Sequence, residues 1–218
     1  AVYRARILGA DTAPEIGAPT LLTGGSLAAG TYSYRVSAVM DDGTMIPNDN
    51  QGGETLLSEM SDVADFGCGY GTFTIPAALI ARGPVHAFDI EPTMIEETRR
   101  KAKHAGLGNI RFHLRDFTTD GTGLPDETVD YAMLFNILHA EDPLRLLREA
   151  YRVLGPGGKV GVIHWNYDPK TPRGPPMSMR PKPEDCRRWI EDAGFAIEKA
   201  HIDLPPYHYG ILAGKEHT

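Results

Sequence analysis

The feature that most constrains this chain is the run DFGCGYG between Asp65 and Gly71, in which every second residue is glycine. An apolar strand-like segment from Val63 leads into the run, and an apolar segment with helical spacing follows from Phe73. Glycine reaches positive φ and lets a ligand approach the backbone without meeting a Cβ, and the start of a helix offers free N–H groups. The run therefore predicts a strand–turn–helix ligand site. It departs from the dinucleotide spacing G-x-G-x-x-G because Thr72 stands where the third glycine is required.

From residue 61 onward, short apolar segments alternate with amphipathic ones, which is the pattern of a mainly parallel α/β sheet. The predicted strands are Val63–Phe66, Val85–Phe88, Ile110–Leu114, Val129–Phe135, Lys159–Trp165, Phe195–Ile202 and Tyr209–Ala213. The predicted helices are Phe73–Ala81, Met94–His104, Pro143–Leu154 and Glu184–Ala193. A sharp turn is expected at Gly155–Gly158 and a long proline-rich loop from Asn166 to Lys182. The last two strands are close in sequence, which favours an antiparallel pair.

Residues 1–60 differ from the rest, since they are rich in Gly, Thr, Ser and Pro. Apolar and polar residues alternate from Tyr32 to Met40, which predicts a half-buried strand, and Asp41-Asp42-Gly43 predicts a turn. The stretch from Gly30 to Val39 resembles part of a fibronectin type III-like or immunoglobulin-like module. We therefore expect two domains, a β-rich extension over 1–60, sandwich-like but incomplete, and an α/β domain over 61–218. The open edges of an incomplete sandwich would pair with the α/β domain, pair with another copy in a homo-oligomer, or stay partly disordered.

Composition excludes several classes of protein. The net charge of −7 argues against a broad nucleic-acid surface, which needs clustered Lys and Arg. No apolar run approaches the ~20 residues that span a membrane, and no secretory leader is evident. Cys68 and Cys186 predict neither a disulfide framework nor a metal site, and no histidine pair has the spacing of metal ligands. A cytoplasmic protein without a bound metal is expected.

An acidic residue at the end of the second predicted strand strengthens the ligand hypothesis. Asp89 lies about twenty residues beyond the glycine run, where a carboxylate can accept hydrogen bonds from both hydroxyls of a ribose. Ile90 beside it would then pack on the base. The alternative interpretation is that Asp89 caps the helix that starts near Pro92. Because the carboxyl ends of parallel strands share one edge of a sheet, Asp89 is expected to lie close to the glycine run.

The acidic residue followed by G-x-G-x-G, together with the segment LREAYRVLGPGG over 147–158, is similar to the motifs of class I S-adenosylmethionine-dependent methyltransferases. Residues 61–218 resemble the small-molecule enzymes of this group that are related to ubiquinone and menaquinone biosynthesis. The resemblance implies a Rossmann-like, seven-stranded, mainly parallel sheet in the order 3-2-1-4-5-7-6, with strand seven antiparallel. It also implies S-adenosylmethionine as cofactor, S-adenosylhomocysteine as product, and direct in-line methyl transfer to a small molecule.

The resemblance further implies which residues contact the cofactor. The glycine run would cradle the methionine part and the ribose edge, Asp116 would accept from the adenine amino group, and Phe117 would pack on the ring. Asn136 would bond to cofactor or substrate. The full predicted cofactor set is Asp65, Gly67, Gly69, Gly71, Asp89, Ile90, Asp116, Phe117 and Asn136. The alternative interpretation for Asp116 is an ordinary surface aspartate.

Histidine and aromatic residues lie where the later strands end, a mixture that suits a small, partly apolar substrate. The predicted substrate-binding residues are His164, Trp165, Arg173 and Tyr207. His139 and His208 are candidate bases, needed only for an acceptor that must lose a proton. The alternative interpretations are a helix cap for His139 and core or surface positions for the others.

Two other functions remain open from the sequence. A nucleotide-dependent oxidoreductase is disfavoured by the glycine spacing. A chimeric structural or binding protein that holds the cofactor without turnover is compatible with the β-rich extension, which stands where the resembling enzymes carry leading helices.

Overall fold

The computed structural model describes residues 38–39, 45–46, 62–171 and 174–216. Within the N-terminal extension, β1 (Ala38–Val39) pairs antiparallel with β2 (Met45–Ile46). These two strands flank the turn predicted at Asp41-Asp42-Gly43. The remainder of the predicted sandwich-like module lies outside the described residues, so the division into two domains stays a prediction.

The main sheet has seven strands, which alternate with helices along the chain. The strands are β3 (Val63–Phe66), β4 (Val85–Asp89), β5 (Ile110–Leu114), β6 (Val129–Phe135), β7 (Leu154–Trp165), β8 (Ala196–Leu204) and β9 (His208–Gly214). The helices are α1 (Thr74–Ile80), α2 (Pro92–His104), α3 (Pro143–Val153) and α4 (Pro183–Asp192), with a 3₁₀ turn at Met177–Met179.

The strand order is β5-β4-β3-β6-β7-β9-β8. Strand β9 runs antiparallel to β7 and β8, and the other neighbouring strands are parallel. Numbered among themselves, the seven strands have the order 3-2-1-4-5-7-6, which confirms the predicted fold. The order reverses beside β3, and ligands of such sheets bind in the crevice at the carboxyl ends of the strands at this point.

Helices cover the sheet on both faces, which is why its central strands are nearly continuous apolar runs. Every residue of β3 and β4 is buried. Alternate residues of β3 enter different cores: Ala64 packs with α3 and α4, whereas Val63 packs with Ala77 and Ala78 of α1. The carboxyl ends of these strands are therefore held from both sides.

The predicted boundaries were wrong at the end of α3. Instead of continuing through Leu154 into a turn, α3 ends at Val153, and β7 begins at Leu154. Leu154 pairs with Val129, and its carbonyl accepts a hydrogen bond of 2.7 Å from Lys215 Nζ. These partners are distant in sequence, so the local helical pattern does not reveal them.

Candidate functional site

The glycine loop after β3 turns over the end of β4. The amide nitrogens of Gly67 and Cys68 both donate to the Phe88 carbonyl, at 3.0 and 2.8 Å. The φ angles of Gly67, Gly69 and Gly71 are 81°, 51° and 77°. Residues with a Cβ enter this left-handed region only at a cost in free energy. The backbone path of the loop therefore requires glycine at these positions.

The three glycines have different surroundings. A Cβ on Gly67 would lie 2.6 Å from Ile137 Cδ1, and a Cβ on Gly71 would lie 2.8 Å from Thr98 Cγ2. A Cβ on Gly69 would meet nothing within 4 Å. Gly71 thus lets the loop pack on α2, Gly67 lets Ile137 approach the loop, and Gly69 leaves open space beside it.

Asp89 supports the loop from the end of β4. Its Oδ2 accepts a hydrogen bond of 2.8 Å from the Gly69 amide, and its Oδ1 accepts one of 3.0 Å from the Glu91 amide. The second bond stabilises the turn that leads into α2, because Glu91 is the N-cap of that helix. The alternative interpretation, that Asp89 supports the start of this helix, therefore describes part of the role of Asp89. Each carboxylate oxygen can accept more than one hydrogen bond, so both remain able to bind ligand hydroxyls.

A cavity of about 250 Å³ opens beside the loop. Its lining combines residues predicted to bind the cofactor with two that were not predicted. The lining residues are Gly67, Asp89, Ile90, Asp116, Phe117, Thr118 and Ile137. Thr118 and Ile137 were missed, although each directly follows a predicted residue. The predicted residues Asp65, Gly69, Gly71 and Asn136 do not line this cavity.

A larger hollow of about 320 Å³ lies elsewhere, lined by residues that include Asp126, Tyr151 and Lys215. It is found at the amino ends of β6 and β7. Ligands of open α/β sheets bind at the carboxyl ends, so we assign the functional site to the smaller cavity.

Asp116 brings a fixed negative charge to the cavity. Its Oδ1 accepts hydrogen bonds from the Thr118 hydroxyl and from the amides of Thr118 and Thr119. These bonds lower the pKa of Asp116 below the ordinary range of a carboxyl group. Phe117 meets Phe66 edge-on, with ring centroids 5.7 Å apart. The cavity therefore combines an ionised acceptor with a rigid apolar wall.

Asp65 lies beneath the loop. It is 2% exposed, and its Oδ2 accepts a hydrogen bond of 2.6 Å from Thr74 Oγ1. Burial raises the pKa of Asp65 to about 7, against the opposing effect of the Thr74 hydrogen bond and with a further contribution from the charge of Asp89. The hydrogen bond therefore joins the end of β3 to Thr74, the first residue of α1.

The raised pKa makes Asp65 a source of pH-dependent stability. The folded chain keeps the Asp65 proton up to a pH of about 7, whereas the unfolded chain releases it near pH ~4. The carboxyl therefore lowers stability as pH rises between these values. The free energy of unfolding of Asp65→Asn should exceed that of the unaltered chain by an amount that grows with pH. From pH ~5 to pH ~8 this difference should increase by about 2–3 kcal/mol. Urea unfolding at both pH values measures this gain.

The control for this prediction is Asp142→Asn, a change at the exposed N-cap of α3. It should show no comparable pH-dependent gain, because asparagine caps helices as well as aspartate does. A stability difference for Asp65→Asn that does not vary with pH would contradict the inferred protonation.

Three residues with polar side chains, Asn136, His139 and His164, lie where β6 and β7 end. Asn136 has a φ of 56°, and its amide donates to the Ile163 carbonyl at 2.7 Å. The rings of His139 and His164 are 5.6 Å apart and nearly perpendicular. Burial lowers the pKa of both imidazoles, to about 3 for His164. Both rings are therefore neutral at physiological pH.

The predicted substrate residue Tyr207 and the second candidate base, His208, lie beside Trp165. The rings of His208 and Tyr207 lie 4.2 and 6.5 Å from the Trp165 ring. Trp165 is 8% and His208 2% exposed, so these two belong to the interior. Arg173 lies outside the described residues.

Arg180 was not singled out from the sequence, yet it organises the proline-rich loop. Its guanidinium donates to the carbonyls of Pro175, Asn166 and Asp168, at 2.7, 3.2 and 3.2 Å. It lies 5.9 Å from the Trp165 ring. Arg180 thereby ties both ends of the described loop to the end of β7.

Comparisons with known proteins agree with this geometry. A family model described as a methyltransferase domain matches residues 63–158. Aklanonic acid methyltransferase DauC from Streptomyces sp. (strain C5) is 36% identical over 101 residues, which are 45% of this chain and 45% of that protein. A demethylmenaquinone methyltransferase from Geobacillus sp. (strain WCH70) is 29% identical over 129 residues, which are 59% of this chain and 52% of that protein. The chain thus spans about half the length of these relatives.

Solved structures show the same fold. An S-adenosylmethionine-dependent methyltransferase from Aquifex aeolicus matches with a TM-score of 0.64 and 25% identity, over 71% of this chain and 81% of that one. A putative type 11 methyltransferase from Sulfolobus solfataricus matches with a TM-score of 0.63 and 24% identity, over 78% and 92% of the two chains. Sequence relatives, strand order and glycine loop agree: residues 63–158 match a methyltransferase domain, and the seven-stranded sheet has the fold of the class I S-adenosylmethionine-dependent methyltransferases.

Proposed function

We propose that this chain binds S-adenosylmethionine beside the glycine loop and directs its methyl group to a small-molecule acceptor by in-line displacement. The observation that carries this proposal is the cavity that Gly67, Asp89, Asp116 and Phe117 line together. The cavity fits an adenosyl group, since Asp89 can accept from ribose hydroxyls and Asp116 from an exocyclic amino group. Phe117, with Ile90, offers apolar contact to a purine ring.

The charges of the site suit a cationic cofactor. The carboxylates of Asp89 and Asp116 both line the cavity. When bound, S-adenosylmethionine supplies a methyl group that its sulfonium charge has already activated. The chain's own task is to bind, orient the two reactants and exclude water. The rigid loop and the buried ends of β3 and β4 serve that task.

The acceptor would approach from the ends of β6 and β7. We propose that Asn136 borders both ligands and that His164, Trp165, Tyr207 and Arg173 belong to the acceptor side. The neutral ring of His139 can take a proton from an acceptor that must lose one, and His208 is the second candidate base. The relatives named above are called methyltransferases of aklanonic acid and demethylmenaquinone, which agrees with a small-molecule acceptor.

We also infer a cytoplasmic protein that acts without nucleic acid, since its net charge of −7 opposes phosphate contacts. Residues 1–60 would supply the interface of any homo-oligomer. Among the described residues, no helix is both long enough and apolar enough to cross a membrane.

Calorimetry tests the cofactor assignment. We expect binding heat with S-adenosylmethionine and S-adenosylhomocysteine and none with NAD, because the loop lacks the dinucleotide glycine spacing. Release of S-adenosylhomocysteine in the presence of small phenols, amines and thiols then tests methyl transfer. Absence of heat with both adenosyl compounds would refute the assignment. Binding without turnover on any acceptor would favour a cofactor-holding protein that does not catalyse.

A further inference from the structure

Several buried polar atoms at the ends of β6 and β7 have no hydrogen-bond partner within the described part of the chain. They are Asn136 Oδ1, His139 Nδ1 and both ring nitrogens of His164. His164 interacts with the main chain at Trp165, but this contact does not meet hydrogen-bond geometry. Buried polar groups are nearly always hydrogen-bonded, so such a concentration calls for an explanation.

The fold satisfies comparable groups elsewhere. His86, which is 4% exposed, shares a 3.1 Å hydrogen bond with His113, and buried Asp65 accepts from Thr74. The unmet atoms at the ends of β6 and β7 are therefore not a general property of this core. Polar atoms that lack a partner within the fold are suited to one supplied by a ligand.

One member of the cluster directly precedes a residue that lines the cofactor cavity. Ile137 lines that cavity and directly follows Asn136. The main-chain N–H of Asn136 donates to the Ile163 carbonyl, which places the Asn136 backbone beside that of His164. His139 lies in turn 5.6 Å from His164, ring to ring. A ligand that meets these groups would adjoin the proposed cofactor.

The hydrogen-bonding chemistry of the cluster selects its partner. Asn136 Oδ1 only accepts, whereas a neutral imidazole offers one donor and one acceptor. A hydroxyl group both donates and accepts, so it can satisfy the amide oxygen and a ring nitrogen together. A carboxylate accepts only, and its charge would be buried beside two neutral rings.

We propose that Asn136, His139 and His164 form an acceptor subsite that takes an uncharged hydroxyl group and rejects carboxylates of the same shape. The proposal rests on the proposed function, because the cluster is an acceptor subsite only if the methyl donor occupies the adjoining cavity.

Matched pairs of probes test the subsite. We expect phenol and 2-naphthol to bind the full chain at least ~tenfold more tightly than benzoate and 2-naphthoate, in the presence of saturating S-adenosylhomocysteine. His164→Phe should abolish this preference. The control is His201→Phe, because the rings of both His164 and His201 lie near the Tyr209 ring, but His201 is exposed and already bonded to Asp203. Equal affinity within both pairs, or an unchanged preference in His164→Phe, would overturn the subsite.

A spectroscopic readout on the unaltered chain covers the case in which His164→Phe fails to fold. Histidine ¹⁵N resonances should shift for His139 and His164 on addition of 2-naphthol, while those of His201 stay in place. The titration is run with and without S-adenosylhomocysteine, and the binding of that compound is measured separately. A chain that binds S-adenosylhomocysteine but shows no such shifts refutes the subsite alone. Failure of the chain to bind S-adenosylhomocysteine would refute the proposed function. If, in addition, 2-naphthol shifts neither histidine in either titration, the subsite is refuted too.

Discussion

The Asp89→Ala variant is expected to bind S-adenosylhomocysteine at least ~tenfold more weakly than the unaltered chain, a loss of about 1.4 kcal/mol or more. The carboxylate of Asp89 lines the cavity and also accepts the Gly69 and Glu91 amides. Alanine removes the acceptor that we propose for the ribose, and it also removes the acceptor for the Gly69 and Glu91 amides. Isothermal titration of each variant with S-adenosylhomocysteine measures the change.

Asp142→Ala is the matched control for this prediction. Asp142 likewise accepts a backbone amide at the start of a helix, that of Arg145 at 2.9 Å, but it does not line the cavity. Its replacement should cost some stability and leave the affinity as it was. Equal affinity of Asp89→Ala and the unaltered chain would mean that Asp89 serves only the turn.

The Gly67→Ala variant is expected to lose both stability and affinity for the cofactor. Its Cβ would lie 2.6 Å from Ile137 Cδ1, at a backbone φ of 81°. The left-handed conformation costs about 1–2 kcal/mol and the overpacking about 1–3 kcal/mol, so we expect a loss of about 2–5 kcal/mol in free energy of unfolding. Urea unfolding measures this loss, and titration with S-adenosylhomocysteine should show at least ~tenfold weaker binding.

Two further variants separate the causes. Gly108→Ala is the control, because its Cβ would meet nothing within 4 Å and its φ lies outside the left-handed region. In the double variant Gly67→Ala/Ile137→Ala the steric clash is removed and the backbone strain remains. Gly67→Ala should therefore lower the free energy of unfolding by less in the Ile137→Ala background than in the unaltered chain. A Gly67→Ala chain as stable as Gly108→Ala would contradict the close approach of Ile137.

Much of the fold was predictable because its sheet is built from local patterns. The strands Val63–Phe66, Ile110–Leu114 and Val129–Phe135 were predicted with the bounds that the structure has. Each is a short apolar run between clear turn signals, so local sequence suffices. Strand β7 was predicted five residues too short, since its start at Leu154 depends on Val129 and Lys215. Partners so distant in sequence are determined by the topology of the sheet, and the residues around Leu154 do not indicate them.

The position of the site was predictable, but which of the predicted residues line the cavity was not. Gly67, Asp89 and Asp116 line one cavity as expected, because parallel strands bring their ends to a shared edge. The separate positions of Asp65, beneath the loop, and Gly71, against Thr98, depend on how α1 and α2 pack. Arg180 belongs to no recognisable motif, so its hydrogen bonds to the carbonyls of its own loop could not be predicted from the sequence.

The double use of Asp89 limits how this site can be redesigned. An engineer who wants the chain to accept a donor with an altered sugar would replace the residue that contacts the sugar. Asp89, which we propose as the sugar contact, also accepts a hydrogen bond from the Gly69 amide, so its replacement would loosen the glycine loop while it changes the selectivity. Ile90 lines the same cavity and is 56% exposed, so its replacement should disturb the loop less. Methyl donors altered in the adenine base are therefore better targets for redesign than donors altered in the sugar.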